Sequence, residues 1–198
     1  FEKNIKEVNL FITGVGNVGS ELLNQLNLQE KYLKNNLNIK INVVAISNSK
    51  KMFFNSKGID LKKWKNLLDK GINADPEKFL KRTKKINLRN SIFVDNTASS
   101  DISMFYSYYL RKSISVVTCN KIACADEFEN YKELKYLSKN YNAPFLFETN
   151  VGASLPIIDT LNNLIASGDK IISIQAVLSG SLNYIFNNYR KMNTFHDI

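Results

Sequence analysis

Cysteine, histidine and long apolar runs are what this chain has least of, and each shortage removes a class of function. The two cysteines, Cys119 and Cys124, stand five residues apart. That spacing makes neither a zinc knuckle nor a CxxC pair, so a disulfide framework and a cysteine metal site both drop out, and two reduced thiols in a cytoplasmic protein are expected. The single histidine, His196, is third from the end in a polar stretch and is read as solvent exposed rather than catalytic. No apolar run approaches the roughly 20 residues that cross a bilayer, so no membrane partner is expected. The opening FEKNIKE is charged, has no signal-peptide core and no initiating Met, which leads us to expect a piece of something longer.

What is present is a globular composition, 44% hydrophobic and 23% charged over 198 residues, enough for one sizeable core and part of a second domain. The formal charge of +9 invites a polyanionic partner. Its dense patches, however, fall in candidate helices (Lys62, Lys63 and Lys65; Lys81, Arg82, Lys84 and Lys85), where solvated faces explain them more simply than a nucleic-acid groove.

The most informative stretch runs from Val8 to Leu26. An apolar run (Val8, Leu10, Phe11, Ile12) passes through Gly14, Gly16 and Gly19 into a helical pattern of Val18, Leu22, Leu23 and Leu26. Strand, tight turn and helix in this order give GxGxxG its meaning: Gly14 permits the turn, Gly16 lets a pyrophosphate approach backbone, and Gly19 lets helix and strand pack closely. The first amides of the helix are then free to receive phosphate. The plainer alternative is a glycine-bearing turn of some other α/β protein.

Further on, Ile41 to Ser47 reads as a second strand in a right-handed βαβ crossover, the interval before it being filled by a long helix and an insertion around Lys31 to Asn38. An NAD site usually ends this strand in Asp or Glu. Here stand Ser47, Asn48, Ser49, Lys50 and Lys51, with no acid, which favours NADP(H); ordinary surface lysines are the competing reading of Lys50 and Lys51. Gly58 to Lys70 reads as an amphipathic helix capped by Asp60, with Leu61, Trp64, Leu67 and Leu68 packing, and Asp75–Pro76 as the cap and first position of another helix. Ser91 to Asn96 is a buried-type strand. The loop after it offers Thr97 to a ligand, and Ser100 or Asp101 to the cap of a helix through Met104, Phe105, Tyr108 and Leu110. Ile114 to Thr118 is the next strand and leads to Lys121, a cation that can polarise a carbonyl or sit on the surface. A helix over 127–141, with Tyr131, Leu134 and Leu137 inward, then a strand over 144–147, complete the expected Rossmann-type, doubly wound parallel sheet of residues 1–147.

TCNK at 118–121, ETNVGASLPII at 148–158 and LSGSLNYIF at 178–186 follow that turn in order. With them the chain resembles homoserine dehydrogenase over nearly its whole length, most closely the dehydrogenase half of the bifunctional aspartokinase/homoserine dehydrogenase. The resemblance implies reversible hydride transfer between NAD(P)H and L-aspartate 4-semialdehyde, giving L-homoserine, in threonine and methionine biosynthesis. It implies cofactor contacts at Gly14, Val15, Gly16, Asn17, Val18, Gly19, Ser49, Lys50, Thr97 and Lys121. For substrate it implies Lys121, Gly180 and Ser181. For a sodium-like monovalent cation it implies the carbonyls of Glu148, Val151, Ala153 and Leu155. It further implies a homo-oligomer, a fused aspartokinase, and a catalytic lysine past Ile198, so that no residue present carries that role. Residues 148–198 are then the start of a truncated α+β catalytic and dimerisation domain, with a helix over 156–166, a strand over 170–178 and a helix over 182–189. A non-catalytic NADP-binding sensor or a degenerate subunit is the alternative.

Overall fold

The computed structural model of the chain describes residues 5–153, 155–189, 194 and 196. Ser154, the first four residues and Ile198 therefore lie outside the described residues. Two compact units divide it, Phe1–Phe147 and Glu148–Ile198.

In the first unit β1 (Lys6–Thr13) leads into α1 (Asn17–Asn36) and then β2 (Ile39–Ser47), which pairs parallel with β1. Both strands carry unbroken apolar runs because both of their faces are covered. Phe11, Ile12, Val44, Ala45 and Ile46 have no exposed surface, and full burial of each of the four larger side chains contributes roughly 1.5–3 kcal/mol. The expected insertion at Lys31 to Asn38 is mostly more of α1, which runs on to Asn36. Its lysines and Leu33 keep helix propensity high, and the chain turns only at Asn38, left-handed at φ 54°, a conformation asparagine tolerates.

A short antiparallel ribbon follows, β3 (Lys51–Phe54) with α2 (Trp64–Asp69) leading to β4 (Ile72–Asn73). It extends the sheet beyond β2. Asp60 does not cap α2. The helix begins one turn later, and the Asp60 carboxylate instead accepts the Lys62 amide within the preceding turn. Leu61, Trp64 and Leu67 still pack against the core with buried Leu68, so Trp64 serves packing. Next, α3 (Pro76–Ile86) is capped as expected, the Asp75 carboxylate accepting the Lys78 amide at 2.9 Å.

Then come β5 (Ser91–Asp95), α4 (Ser100–Ser103), α5 (Tyr106–Leu110), β6 (Ser115–Thr118), α6 (Ile122–Ala125), α7 (Phe128–Asn140) and β7 (Phe145–Leu146). The helix expected after β5 is two short helices, and neither Ser100 nor Asp101 caps it; Ser99 stands at the N-cap without a side-chain bond. The two pieces bury one side. Tyr106 and Tyr109 are enclosed while Met104 and Tyr108 are 63% and 53% exposed, and Tyr109 stacks on Phe93 with ring centroids 4.0 Å apart. The sheet order is β4-β3-β2-β1-β5-β6-β7. All pairings from β2 to β7 are parallel. The order reverses between β1 and β5, the switch point where open α/β sheets take ligands at their carboxyl ends. No described helix is long and apolar enough to cross a membrane.

In the second unit a 3-10 turn (Glu148–Asn150) precedes α8 (Ile158–Ala166) and α9 (Gly180–Asn188). The Glu148 carboxylate receives the amides of Ile158 and Asp159, both at 2.8 Å, an acid on a helix N-terminus. The strand expected over 170–178 has no ladder partner among the described residues. A strand needs a neighbour for its backbone groups, and here Ile172 and Val177 are 96% and 76% exposed.

Candidate functional site

The glycine turn after β1 is built by contacts that exclude side chains. Gly14 sits at φ +87°, and a Cβ there would lie 2.7 Å from Thr97 Cγ2 and 2.8 Å from the Asn96 carbonyl carbon. At Gly19 a Cβ would lie 2.0 Å from the Gly14 carbonyl oxygen, so this glycine sets how closely α1 approaches the turn. Gly16 differs: nothing lies within 4 Å of its added Cβ. It is the N-cap of α1, with no side-chain cap bond and no acid in the first turn, which leaves the leading helix amides and the positive dipole end for an anion. The amides of Gly14 and Val15 are used within the protein, both donating to the Ser47 carbonyl, at 2.8 and 3.3 Å. Val15 therefore joins the turn to β2, and the open amides begin at Gly16, Asn17, Val18 and Gly19.

A cavity of about 360 Å³ opens beside this turn, lined by Gly14, Ser47, Asn48, Ser49, Thr97 and Phe105 among others. It gathers the carboxyl ends of β1, β2 and β5. The Asn48 side-chain oxygen accepts the Lys50 and Lys51 amides at 2.8 and 2.7 Å, which folds the β2–β3 turn tightly and puts Ser49 on the cavity. Lys50 is exposed on that turn and does not line the cavity. The cavity's far wall includes Asp75 and Phe79 from the start of α3, which the sequence reading treated as covering structure. Asp75 is committed to its cap and to Lys78 Nζ at 3.3 Å, and the Lys78 amide holds its carboxyl below the usual range.

Behind the Thr97 loop lies a polar cluster that the sequence reading missed. Asp95, ending β5, has no exposed surface. Its Oδ1 accepts the Thr97 amide at 2.7 Å; its Oδ2 accepts the Tyr106 hydroxyl at 2.5 Å and Asn120 Nδ2 at 3.1 Å. The Tyr106 hydroxyl also meets Thr118 Oγ1 at 2.8 Å, and the Asn120 amide donates to Thr118 Oγ1 at 2.8 Å. Burial first, and Asp95 next, push the Tyr106 hydroxyl far above the ordinary tyrosine range, so it remains a donor. Burial likewise raises the Cys119 thiol, with Asp95 adding to it, which keeps the thiol protonated and unreactive. A legible signal existed: an acid closing the buried strand SIFVD needs partners. Lys121 follows Asn120 as the N-cap of α6 and is exposed. It stands at the end of β6, next to β5, and is not among the cavity-lining residues.

One further feature faces the turn. Asn96 Nδ2 is buried without a hydrogen-bond partner and would lie 3.3 Å from a Cβ at Gly19. An orphaned amide, an open Gly16 and an acid-free helix start together fit an anionic, phosphate-bearing group.

In the second unit Gly152 and Ala153 are consecutive left-handed residues, φ 65° and 53°. The Glu148 and Leu155 carbonyls accept the Val151 and Ile157 amides. Ser179 caps α9 through its hydroxyl, at 3.2 Å from the Leu182 amide, and leaves Gly180 and Ser181 exposed in the first turn. Among the described residues no group of three His, Cys, Asp or Glu side chains is placed to hold a metal.

Comparisons with known proteins follow the same division. A family model described as homoserine dehydrogenase, NAD binding domain, matches residues 14–148, and one described as homoserine dehydrogenase matches residues 156–198. A bifunctional aspartokinase/homoserine dehydrogenase 2, chloroplastic, of Arabidopsis thaliana is 41% identical over 189 residues, covering 94% of this chain and 21% of the relative. A homoserine dehydrogenase of Schizosaccharomyces pombe is 40% identical over 182 residues, covering 91% of this chain and 48% of the relative. The chain thus spans about a fifth of the first and about half of the second. A hyperthermophilic archaeal homoserine dehydrogenase solved in complex with NADPH superposes with a TM-score of 0.67 at 28% identity, over 81% of this chain and 50% of that one.

Proposed function

The chain belongs to the homoserine dehydrogenase family, and from that premise we propose that it is the cofactor-binding part of an enzyme that interconverts L-aspartate 4-semialdehyde and L-homoserine with NADP(H). The observation that carries this is the meeting, at the ends of β1 and β5, of the open Gly16 helix start, the orphaned Asn96 amide and the Thr97 loop. The nicotinamide cofactor, when bound, supplies the hydride.

The residues divide the remaining work. The amides of Gly16, Asn17, Val18 and Gly19 receive the pyrophosphate, while Gly14 and Val15 hold the turn that presents them. Ser49 and Lys50 take the ribose and its 2′-phosphate, where β2 ends without an acid. Thr97 lies along the nicotinamide. The Lys121 ammonium opposes the negative charge that grows on the aldehyde oxygen, the largest lever available to such a site. Gly180 and Ser181 bind the polar end of the substrate, and the carbonyls of Glu148, Val151, Ala153 and Leu155 hold a sodium-like cation. Residues 1–147 are then the cofactor domain and 148–198 the beginning of the catalytic and dimerisation domain. The whole protein would act in the cytoplasm as a homo-oligomer in threonine and methionine biosynthesis. Relatives that carry an aspartokinase in the same polypeptide support such a fusion here, and an archaeal neighbour holding NADPH supports the choice of cofactor.

Titration with NADPH and NADH, followed by calorimetry or fluorescence, tests the reading. NADPH is expected to bind about tenfold more tightly than NADH, and Lys50→Glu to remove that difference, because one charge-assisted phosphate contact is worth about 1.5–3 kcal/mol. Equal affinities in the unmutated chain would refute the preference, and no binding of either at about 1 mM, the upper end of ordinary cofactor use, would refute the reading itself.

A further inference from the structure

The Asp95 cluster does more than satisfy buried groups, because its two carboxylate oxygens face two different loops of the site. Oδ1 holds the Thr97 amide, which belongs to the loop after β5. Oδ2 holds Tyr106 and Asn120, which govern the loop after β6. Asn120 in turn brackets Lys121: its Nδ2 also donates to the Ser99 carbonyl at 3.0 Å, and its Oδ1 accepts the Ile122 amide at 3.1 Å. The backbone on both sides of Lys121 is therefore tied, through one side chain, to one carboxylate. The Ser47–Ser49 side of the cavity is fixed by other means, through Asn48 and the Ser47 carbonyl, while Thr97 and Ser99 line its opposite side.

We propose that Asp95 is a positioning residue, its buried carboxylate setting where the Thr118–Lys121 loop stands over the nicotinamide end of the cofactor site. This rests on the NADP(H) reading above. Lys121 is the group that touches the reacting end, and Asp95 acts through Tyr106 and Asn120. The arrangement makes the two ends of the dinucleotide separable: the glycine turn and the Ser47–Ser49 turn hold one, and the carboxylate clasp holds the other.

The separation can be measured with two ligands, NADPH and adenosine 2′,5′-bisphosphate, which lacks the nicotinamide end. Asp95→Asn keeps an oxygen for the Thr97 amide and sets an NH2 against the Asn120 NH2, so the Thr97 contact is spared and the β6 loop is released. Its NADPH dissociation constant is expected to rise about tenfold, as the loss of one charged buried hydrogen bond implies, while that of adenosine 2′,5′-bisphosphate stays within about twofold. Tyr106→Phe keeps the ring packing and removes one bond to the carboxylate; an increase of about threefold for NADPH alone is expected. Bound NADPH fluorescence, which reports the surroundings of the nicotinamide, should shift toward that of free NADPH in both variants.

Parallel weakening of both ligands would mean a structural role only and would overturn the proposal. So would unchanged NADPH affinity and emission in both variants. Should Asp95→Asn fail to fold, Tyr106→Phe decides by the same ratio. If the unmutated chain binds adenosine 2′,5′-bisphosphate but not NADPH, the clasp is disproved and the phosphate site stands. If it binds neither, the NADP(H) reading fails and the proposal falls with it.

Discussion

Replacing Gly16 by valine is expected to abolish NADPH binding and to leave the folded chain intact. A Cβ at Gly16 meets no atom within 4 Å, so the protein has room for the side chain, and stability should change by no more than about 1 kcal/mol, as for an exposed substitution. The room it fills is the space over the first amides of α1, where the pyrophosphate must reach backbone. Closing that approach forfeits several phosphate hydrogen bonds of about 1.5–3 kcal/mol each, at least a thousandfold in affinity. Retention of micromolar NADPH binding by the valine variant would place the phosphates elsewhere.

Gly19→Ala should do the reverse, damaging the fold before it damages the site. Its Cβ would stand 2.0 Å from the Gly14 carbonyl oxygen, a backbone atom that cannot swing aside. Either α1 lifts away from the turn, opening the contact around buried Leu23, or the turn distorts. Overpacking of this kind costs about 1–3 kcal/mol, and more when backbone is the obstacle; the better helix propensity of alanine returns about 1 kcal/mol. With the cost at the upper end of that range, we expect a net loss of roughly 2 kcal/mol, which lowers the thermal midpoint by about 4–8 °C in a chain of this size. An alanine variant as stable as the parent would show that α1 and the turn are not in the contact described. The two glycines, three residues apart, thus separate ligand access from packing.

Much of this was readable in the residues because it was local. Glycine spacing, the apolar runs of β1, β2, β5 and β6, and the Asp75–Pro76 cap each depend on neighbours within a few positions, and each lies where the pattern puts it. Periodicity fails where elements are too short to show a period: β3 and β4 hold four and two residues, and α4 and α5 hold four and five. With the helix broken in two, Met104 and Tyr108 are exposed while Tyr106, Tyr109 and Leu110 are buried. The Asp95 cluster was hidden for a different reason. Its bonds join residues 11 and 25 positions apart, and only the parallel pairing of β5 with β6 brings their ends together. Over 170–178 the apolar pattern led to an expected strand, but a strand is completed by its neighbour, and none stands beside that stretch among the described residues.

The edge ribbon also changes how the cofactor cavity is understood. In a doubly wound sheet the position beyond β2 ordinarily belongs to a third parallel strand. Here β3 and β4 occupy it antiparallel and deliver Asp75 and Phe79 to the cavity wall. The cavity wall is therefore built by the start of α3 as well as by the end of β2, a contribution invisible to any reading that stops at the Ser47–Lys51 turn.

The most direct measurement is an amide NMR titration of the chain with NADPH. Shifts should concentrate on Gly16, Asn17, Val18 and Gly19, with further changes at Ser49, Thr97 and Lys121, and should saturate in the micromolar range to about 1 mM usual for cofactors. Saturable shifts confined to other parts of the first unit, or no shifts at that concentration, would contradict a dinucleotide site at the Gly14–Gly19 turn.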